Sequence, residues 1–346
     1  MNKRISMRKI AEVANVSVAT VSQVLNNRCE NFCSEKTKER VRQVAMELGY
    51  RKNVGYKIMH SLPTHTVGIL AASINMQQEE HLQTIIIQLL SEFASRDYAA
   101  FCNVLPPDPA GAYAAITDLV SRGVEHFVFL GTPPGLNEIV KELDRLGITW
   151  ICDRVNTLRF VANDYISGGE KLYQSFYKYC GENFRLILNG KQDYNVNSRI
   201  QALLKTFPQY TEHEILEKFV YFTNIDENSY SKMNFFNREF ELGKESLKQI
   251  IKDIPNIAGI SFINDVQAMG GASLLLTTEY QNYRHLKIAG YNKDNATKYY
   301  PYPISSVGPN IELIVKKLVD YTISNQACNL NVEPILSLRM NEKFSI

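Results

Sequence analysis

At 346 residues the chain exceeds what one ordinary hydrophobic core organises, so two or three domains are expected. Its 45% hydrophobic and 21% charged residues suit a globular protein, and no run of about 18 apolar residues offers a membrane span. The net charge of +2 hides an asymmetry: residues 1–62 carry twelve Lys and Arg against five Asp and Glu, +7, which leaves −5 for the rest. A basic end on a mildly acidic body fits a protein that meets a polyanion through that end alone.

The first elements carry the most information. Ile10, Val13 and Ala14 form an apolar stripe at i, i+3, i+4, and Val21, Val24 and Leu25 form a second. Between them Asn15 supplies the turn, because Asn tolerates positive φ, and Ser17 stands where an N-cap is needed. A third helix begins at the Ser34 cap, carries Val41, Val44, Ala45 and Leu48 inward, and stops at Gly49. Two short helices joined by so tight a turn are the pattern that places its second helix in the DNA major groove.

These residues, together with Ile10-Ala11-Glu12-Val13-Ala14, Thr20-Val21-Ser22, Leu25-Asn26, Ser34-Glu35-Lys36-Thr37 and Leu48-Gly49-Tyr50, closely resemble the DNA-binding headpiece of the LacI/GalR family. The resemblance implies an all-α helix-turn-helix headpiece over 1–50, a hinge over 51–65, and an α/β two-lobed periplasmic-binding-protein-like body over 66–346. It implies that Val18, Ala19 and Gln23 read base edges. Gln can bond adenine in a bidentate way, whereas Val and Ala reach only a thymine methyl. An Arg is usual at the Gln23 position, so a non-standard half-site is expected. Ser17, Thr20, Ser22, Asn26, Ser34, Thr37 and Asn53 are the phosphate-contact candidates.

In the family the hinge folds on DNA and wedges an apolar side chain into the minor groove, which here is Met59 in place of the usual Leu. Lys52, Gly55 and Tyr56 depart from the pattern. They weigh against a hinge helix in the free chain. The stretch 27–33 looks about two residues longer than usual.

From Val67 onward strands and helices alternate. Strands are expected at 67–71, 99–104, 126–130, 148–153, 185–188, 219–222, 258–263, 286–290, 304–307 and 335–339, with helices between them. That many strands suggests two sheets. The resemblance implies a first lobe over about 66–161 and 308–328 and a second over about 162–307 and 329–346. The chain then crosses near 161–164, 307–310 and 327–331.

Strand ends are where such sheets bind ligands. The resemblance makes Arg199, in Asn197-Ser198-Arg199, a group for effector hydroxyls or carboxylates, since a guanidinium offers a fixed fork of donors. It places Asn264 in the cleft with Asp265 capping the following helix. It puts Asn292 where the family carries Asp, with Asp153 a first-lobe candidate. The Gly168-Gly169 pair reads as close helix packing.

No G-x-S-x-G elbow, Walker loop, G-x-G-x-x-G or H-E-x-x-H is present, so no catalytic residue is assigned and an enzyme is not expected. No cofactor is implied. Cys29 and Cys33 lack further ligands for a metal, and Cys102, Cys152, Cys180 and Cys328 are scattered, as in a reducing cytoplasm. Residues 1–9 show no apolar signal segment.

The expected function is a transcriptional repressor on a pseudo-palindromic double-stranded operator, with no membrane partner, modulated by a small, sugar-like effector. With no heptad tail after 335–339, homodimers are expected. The alternatives are a regulator that is effector-independent or answers to a protein partner and, further off, a solute-binding protein.

Overall fold

Ser6 opens the first helix by accepting a hydrogen bond from the Lys9 amide (3.3 Å), and α1 (Met7–Ala14) follows. Asn15 ends it in the left-handed region at φ 50°, which turns the chain so that the Val16 amide bonds the Ala11 carbonyl (3.1 Å). Ser17 then accepts from the Thr20 amide (3.0 Å) and starts α2 (Val18–Leu25). Ser34 does the same for α3 (Glu35–Glu47) through the Thr37 amide (3.3 Å). Ile10, Ala11, Ala14, Val21, Val24, Val41, Val44 and Ala45 make the shared core. Val13, expected in that core, is 50% exposed, and Ala11 takes its place because the crossing helices need a small residue there.

The computed structural model describes residues 5–25, 32–50, 54–59, 62–72, 79–154, 157–188, 194–326, 328–340 and 342. The hinge forms a helix after all, α4 (Val54–Met59), against the expectation drawn from Gly55. Contacts divide the chain into two units, Met1–Thr64 and His65–Ile346.

The body alternates β1 (Thr66–Ala71), α5 (Glu80–Ser95), β2 (Ala99–Val104), α6 (Pro109–Ser121), β3 (His126–Leu130), α7 (Leu136–Arg145), β4 (Thr149–Cys152) and β5 (Phe160–Asn163). It continues with α8 (Tyr165–Cys180), β6 (Phe184–Leu188), α9 (Tyr194–Thr206), α10 (Glu212–Phe219), β7 (Val220–Phe222), α11 (Phe235–Asp253) and β8 (Gly259–Ser261). Then come α12 (Asp265–Leu275), β9 (Lys287–Tyr291), α13 (Asn295–Lys298), β10 (Ile304–Gly308), α14 (Ile311–Ser324), β11 (Asn329–Val332) and β12 (Ile335–Ser337).

Two six-stranded sheets result, in the orders β11-β5-β4-β3-β1-β2 and β12-β10-β9-β8-β6-β7. Every pairing is parallel except β10 with β12. Strands such as β1, buried along all six residues, are apolar on both faces because helices cover both. The first sheet is packed by α5 and α14 on one side, through Leu82, Leu89, Phe93, Ile314 and Leu318. On the other, α6 and α7 bury Ile116, Leu119, Ile139 and Leu143. The second sheet has the corresponding cores around Phe176, Phe184 and Phe219 and around Leu247, Ile260 and Phe262.

The chain passes from first to second lobe after β5, back after β10, and across again between β11 and β12. The third passage corrects the sequence expectation of 327–331. Asn329–Val332 pairs with Phe160–Asn163 as the edge of the first sheet, so the crossing falls between Val332 and Ile335, and residues 329–332 belong to the first lobe. The physical reason is burial: Val332 enters the first lobe's core, a position the short polar pattern of Asn329–Asn331 conceals.

Gly168 and Gly169 behave as close-packing residues. A Cβ on Gly168 would lie 2.9 Å from Pro334, and one on Gly169 would lie 2.6 Å from the Ala202 methyl.

Candidate functional site

In the headpiece, α2 turns Val21 and Val24 inward and leaves Ser17, Val18 and Ala19 exposed, with Thr20, Ser22 and Gln23 half-buried. The Ser17 hydroxyl is shared between the Thr20 amide and the Thr20 hydroxyl (2.8 Å), which holds the helix start rigid. Ser34 and Thr37 repeat this arrangement at α3, with the two hydroxyls 3.0 Å apart. Arg8, Lys9, Lys36, Arg40 and Arg42 are exposed on the same unit. Met59 ends α4 with 83% of its surface exposed. Asn26 and Asn53 lie outside the described residues, as does most of the stretch 27–33.

In the body Asp153, Asn264 and Asn292 follow the ends of β4, β8 and β9 and Arg199 lies on α9, and their roles differ from the expectation. Asn264 is the N-cap of α12: its Oδ1 accepts from the Gln267 amide (2.8 Å) and its Nδ2 donates to Glu239 (2.8 Å). Asp265, expected to cap, is instead fully buried and accepts from the Asp294 amide (2.7 Å) and the Ser306 hydroxyl (2.8 Å). Asn264 takes the cap because it sits in extended backbone, where a side chain reaches its own helix's amides, while Asp265 turns inward to Asp294 and Ser306.

Arg199 is 2% exposed and lies with its guanidinium 3.7 Å above the centre of the Tyr291 ring, donating to the Ile263 carbonyl (3.2 Å). The Tyr291 hydroxyl donates to that of Tyr173 (3.0 Å). Burial pushes both phenols above their ordinary range, and Arg199 opposes the shift in each. Asn292 follows at φ 104°, its amide bonded to Val307 (2.9 Å), and only a glycine at 308 leaves room for it. A Cβ there would come within 2.4 Å of the Asn292 backbone. Asp153 is buried at the end of β4, accepting from the Gly131 amide (2.7 Å) and pairing with Arg154 (3.3 Å). That carboxylate holds Arg154 above the usual arginine range.

Tyr291 and Asn292 meet Asn163, Tyr165, Gly168, Val307, Gly308 and Pro309 around a narrow crevice at the crossing strands, too tight in this structure to admit a water molecule. Arg199 lies under its Tyr291 wall. The Asn163 Oδ1 is buried without a hydrogen-bond partner among the described residues. Asp153 and Asn264 are not among that crevice's walls. Sequence reading missed Asn163, Tyr165 and Arg154. Tyr165 follows the Asp164 helix cap and Arg154 follows the strand-end Asp153, which was the available signal.

Residues 6–53 match the family "Bacterial regulatory proteins, lacI family". The "Probable HTH-type transcriptional repressor ExuR" of Bacillus subtilis is 28% identical over 120 residues, 35% of each chain, so sequence similarity covers about a third of that relative. Solved structures extend over the whole chain. The lac repressor dimer bound to operator and the anti-inducer ONPF covers 99% of this chain and 100% of its own, at a TM-score of 0.77 and 15% identity. The regulator CelR in complex with cellobiose covers 97% and 99%, at 0.59 and 18%. At these identities the body shares their fold, and residues 6–53 add the sequence match. Residues 6–53 thus match the lacI family of bacterial regulatory proteins, and the whole chain shares the fold of the lac repressor.

Proposed function

We propose that this chain is a transcriptional repressor that binds a pseudo-palindromic operator as a homodimer and answers to a sugar-like molecule held between its lobes. The observation that carries the DNA reading is the capped, exposed start of α2, with Val18 and Ala19 outward and Gln23 beside them. These side chains are of the size and polarity that a major-groove helix uses. The exposed Arg8, Lys9, Lys36, Arg40 and Arg42 supply phosphate charge, and Met59 is the minor-groove wedge.

The cleft reading is supported by the Tyr165 and Tyr291 rings, the Asn163 and Asn292 amides and the buried Arg199. Aromatic faces with a few fixed polar groups suit a polyhydroxylated ligand. The unpartnered Asn163 oxygen is an acceptor waiting for a hydroxyl. Homology adds weight, since the CelR complex carries cellobiose. Being a ligand-gated binder, the chain needs no catalytic group.

The test is selection of operator from random duplex, followed by titration against salt. Binding is expected to fall by about 0.9 log unit per log salt for each phosphate contacted. A flat salt response, or no enriched half-site repeat, would refute the reading. A sugar-library melting screen on the full chain completes it, since a ligand at 100-fold its Kd stabilises by about 2.7 kcal/mol.

A further inference from the structure

We propose that the body is a proton-responsive switch, in which the contact between the start of α5 in the first lobe and the β9–α13 turn in the second takes up protons as the lobes close.

The contact is built from acids. Glu79, Glu80 and His81 stand in sequence at the start of α5, facing Asp294 and Asn295 from the other lobe. Glu80 accepts a hydrogen bond from the Asn295 amide (3.0 Å), which ties the lobes directly. His81 is buried between Glu79, 3.5 Å from its Nε2, and Asp294, 3.9 Å from its Nδ1. Behind Asp294 lies the fully buried Asp265 on α12, and Glu239 on α11 acts on Glu79 from the second lobe. After β4 come Asp153 and Arg154, whose cation also acts on Glu79 and His81.

Among the described residues six carboxylates, those of Glu79, Glu80, Asp153, Asp294, Asp265 and Glu239, thus gather on or act on this contact; Arg154 acts on Glu79 and His81, and Arg238 pairs with Glu239 (2.9 Å). Three buried polar atoms at its centre, His81 Nδ1, Asp265 Oδ1 and Asp294 Oδ1, have no hydrogen-bond partner among the described residues. Buried acceptors this close to one another are expensive when ionised, and protons relieve the cost.

The direction follows. Burial first, then Glu239 and Asp153 against the opposing Arg154, push Glu79 from 4.5 up to about 7. Burial, then Glu80 and Glu79, push Asp294 from 3.8 up to about 7. A carboxyl raised in the closed form stabilises closure below its ordinary value, and that stabilisation is lost as pH rises through about 7. His81 works the other way. Burial, then Arg154, hold it down to about 3 from 6.5, so closure expels its proton below pH 6.5. Two protons taken up outweigh one expelled, and above pH 6.5 His81 is neutral in both forms. The closed-to-open ratio is therefore expected to fall at least about tenfold between about pH 6 and about pH 8.

The experiment measures lobe separation in the full chain without DNA or effector, so its outcome is independent of the operator reading. Nitroxide amino acids replace the exposed Asn137 in the first lobe and Lys252 in the second, diluted with unlabelled chain to isolate distances within one protomer. Wild type is expected to shift from short to long distances as pH rises, with its midpoint near 7. Glu79→Gln combined with Asp294→Asn is expected to stay closed throughout, and Asp294→Asn alone to lose about half of the logarithmic response. His81→Gln is expected to retain the alkaline transition. Circular dichroism of each variant verifies folding. A distance distribution that is the same at both ends of the pH range in wild type overturns the proposal. So does a folded Asp294→Asn or double variant that keeps the full response.

Discussion

Arg199 and Asn292 flank Tyr291 from opposite sides, one beneath the ring and one beyond it in the chain. Removing the guanidinium takes away the support of that ring and its bond to Ile263, without touching the separately folded headpiece. Arg199→Ala is therefore expected to abolish the effector response while leaving operator affinity near wild type, because coupling requires differential binding to the two lobe arrangements. Operator titrations with and without the ligand, beside a melting curve, decide it. A response unchanged by the mutation removes Arg199 from the site. Asn292→Asp restores the carboxylate usual in the family and is expected to tighten a sugar ligand, whereas weaker binding would point to an anionic one. At this scale the sequence was legible where a residue's role is local. Ser17, Asn15 and Ser34 do what their side chains do in any helix cap. The interchange between Asn264 and Asp265 was not legible, because it depends on Glu239 and Asp294, which are 25 and 29 residues away.

Among the elements, α4 is the one that the local sequence argues against and the fold nevertheless forms. Gly55 lies in its second position, where the lack of a side chain costs about 1 kcal/mol relative to Ala. Gly55→Ala is expected to stabilise the hinge helix by about that amount and to tighten operator binding by up to about fivefold, if helix formation limits the complex. Far-ultraviolet circular dichroism of the free chain and an operator titration measure the two effects. Unchanged helicity with unchanged affinity would show that the helix is already complete. Other elements escaped the sequence for identifiable reasons. β5 and β11 are four residues each and carry polar positions, too short for a periodic signal. α10 did announce itself, through the Thr211–Glu214 capping box, but without a long apolar stripe behind it. The start of α11 at Phe235, after its Asn234 cap, was not legible, because two phenylalanines at its head obscure the helical period.

For the molecule as a whole, β2 is one edge of the first sheet and β7 one edge of the second, each paired on one side only among the described residues. Both edges carry exposed apolar side chains: Phe101 on β2 and Phe222 on β7, with Ile87 on α5 exposed at 66%. Open edges with such side chains invite another chain. The homodimer reading places them in the interface. Light scattering at micromolar concentration is expected to give a dimer, and Ile87→Asp to give a monomer with operator affinity reduced by at least about tenfold, since one headpiece reads half a site. A variant that remains a dimer would move the interface elsewhere. The two-sheet plan was readable in the sequence because parallel strands are continuous apolar runs. Which lobe owned β11 was not, because that depends on a partner 169 residues earlier in the chain.

The three passages between the lobes run side by side, and two of them contain proline, Pro309 just after β10 and Pro334 between β11 and β12. Proline fixes its own φ and narrows the residue before it, so these segments resist free swivelling. Three passages, two of them stiffened by proline, favour a swing of the lobes over a free tumble. On the readings proposed above, a ligand in the cleft and protons at the α5 contact would push on the same coordinate. Their free energies add along it, so an effector's apparent affinity would itself become a function of acidity.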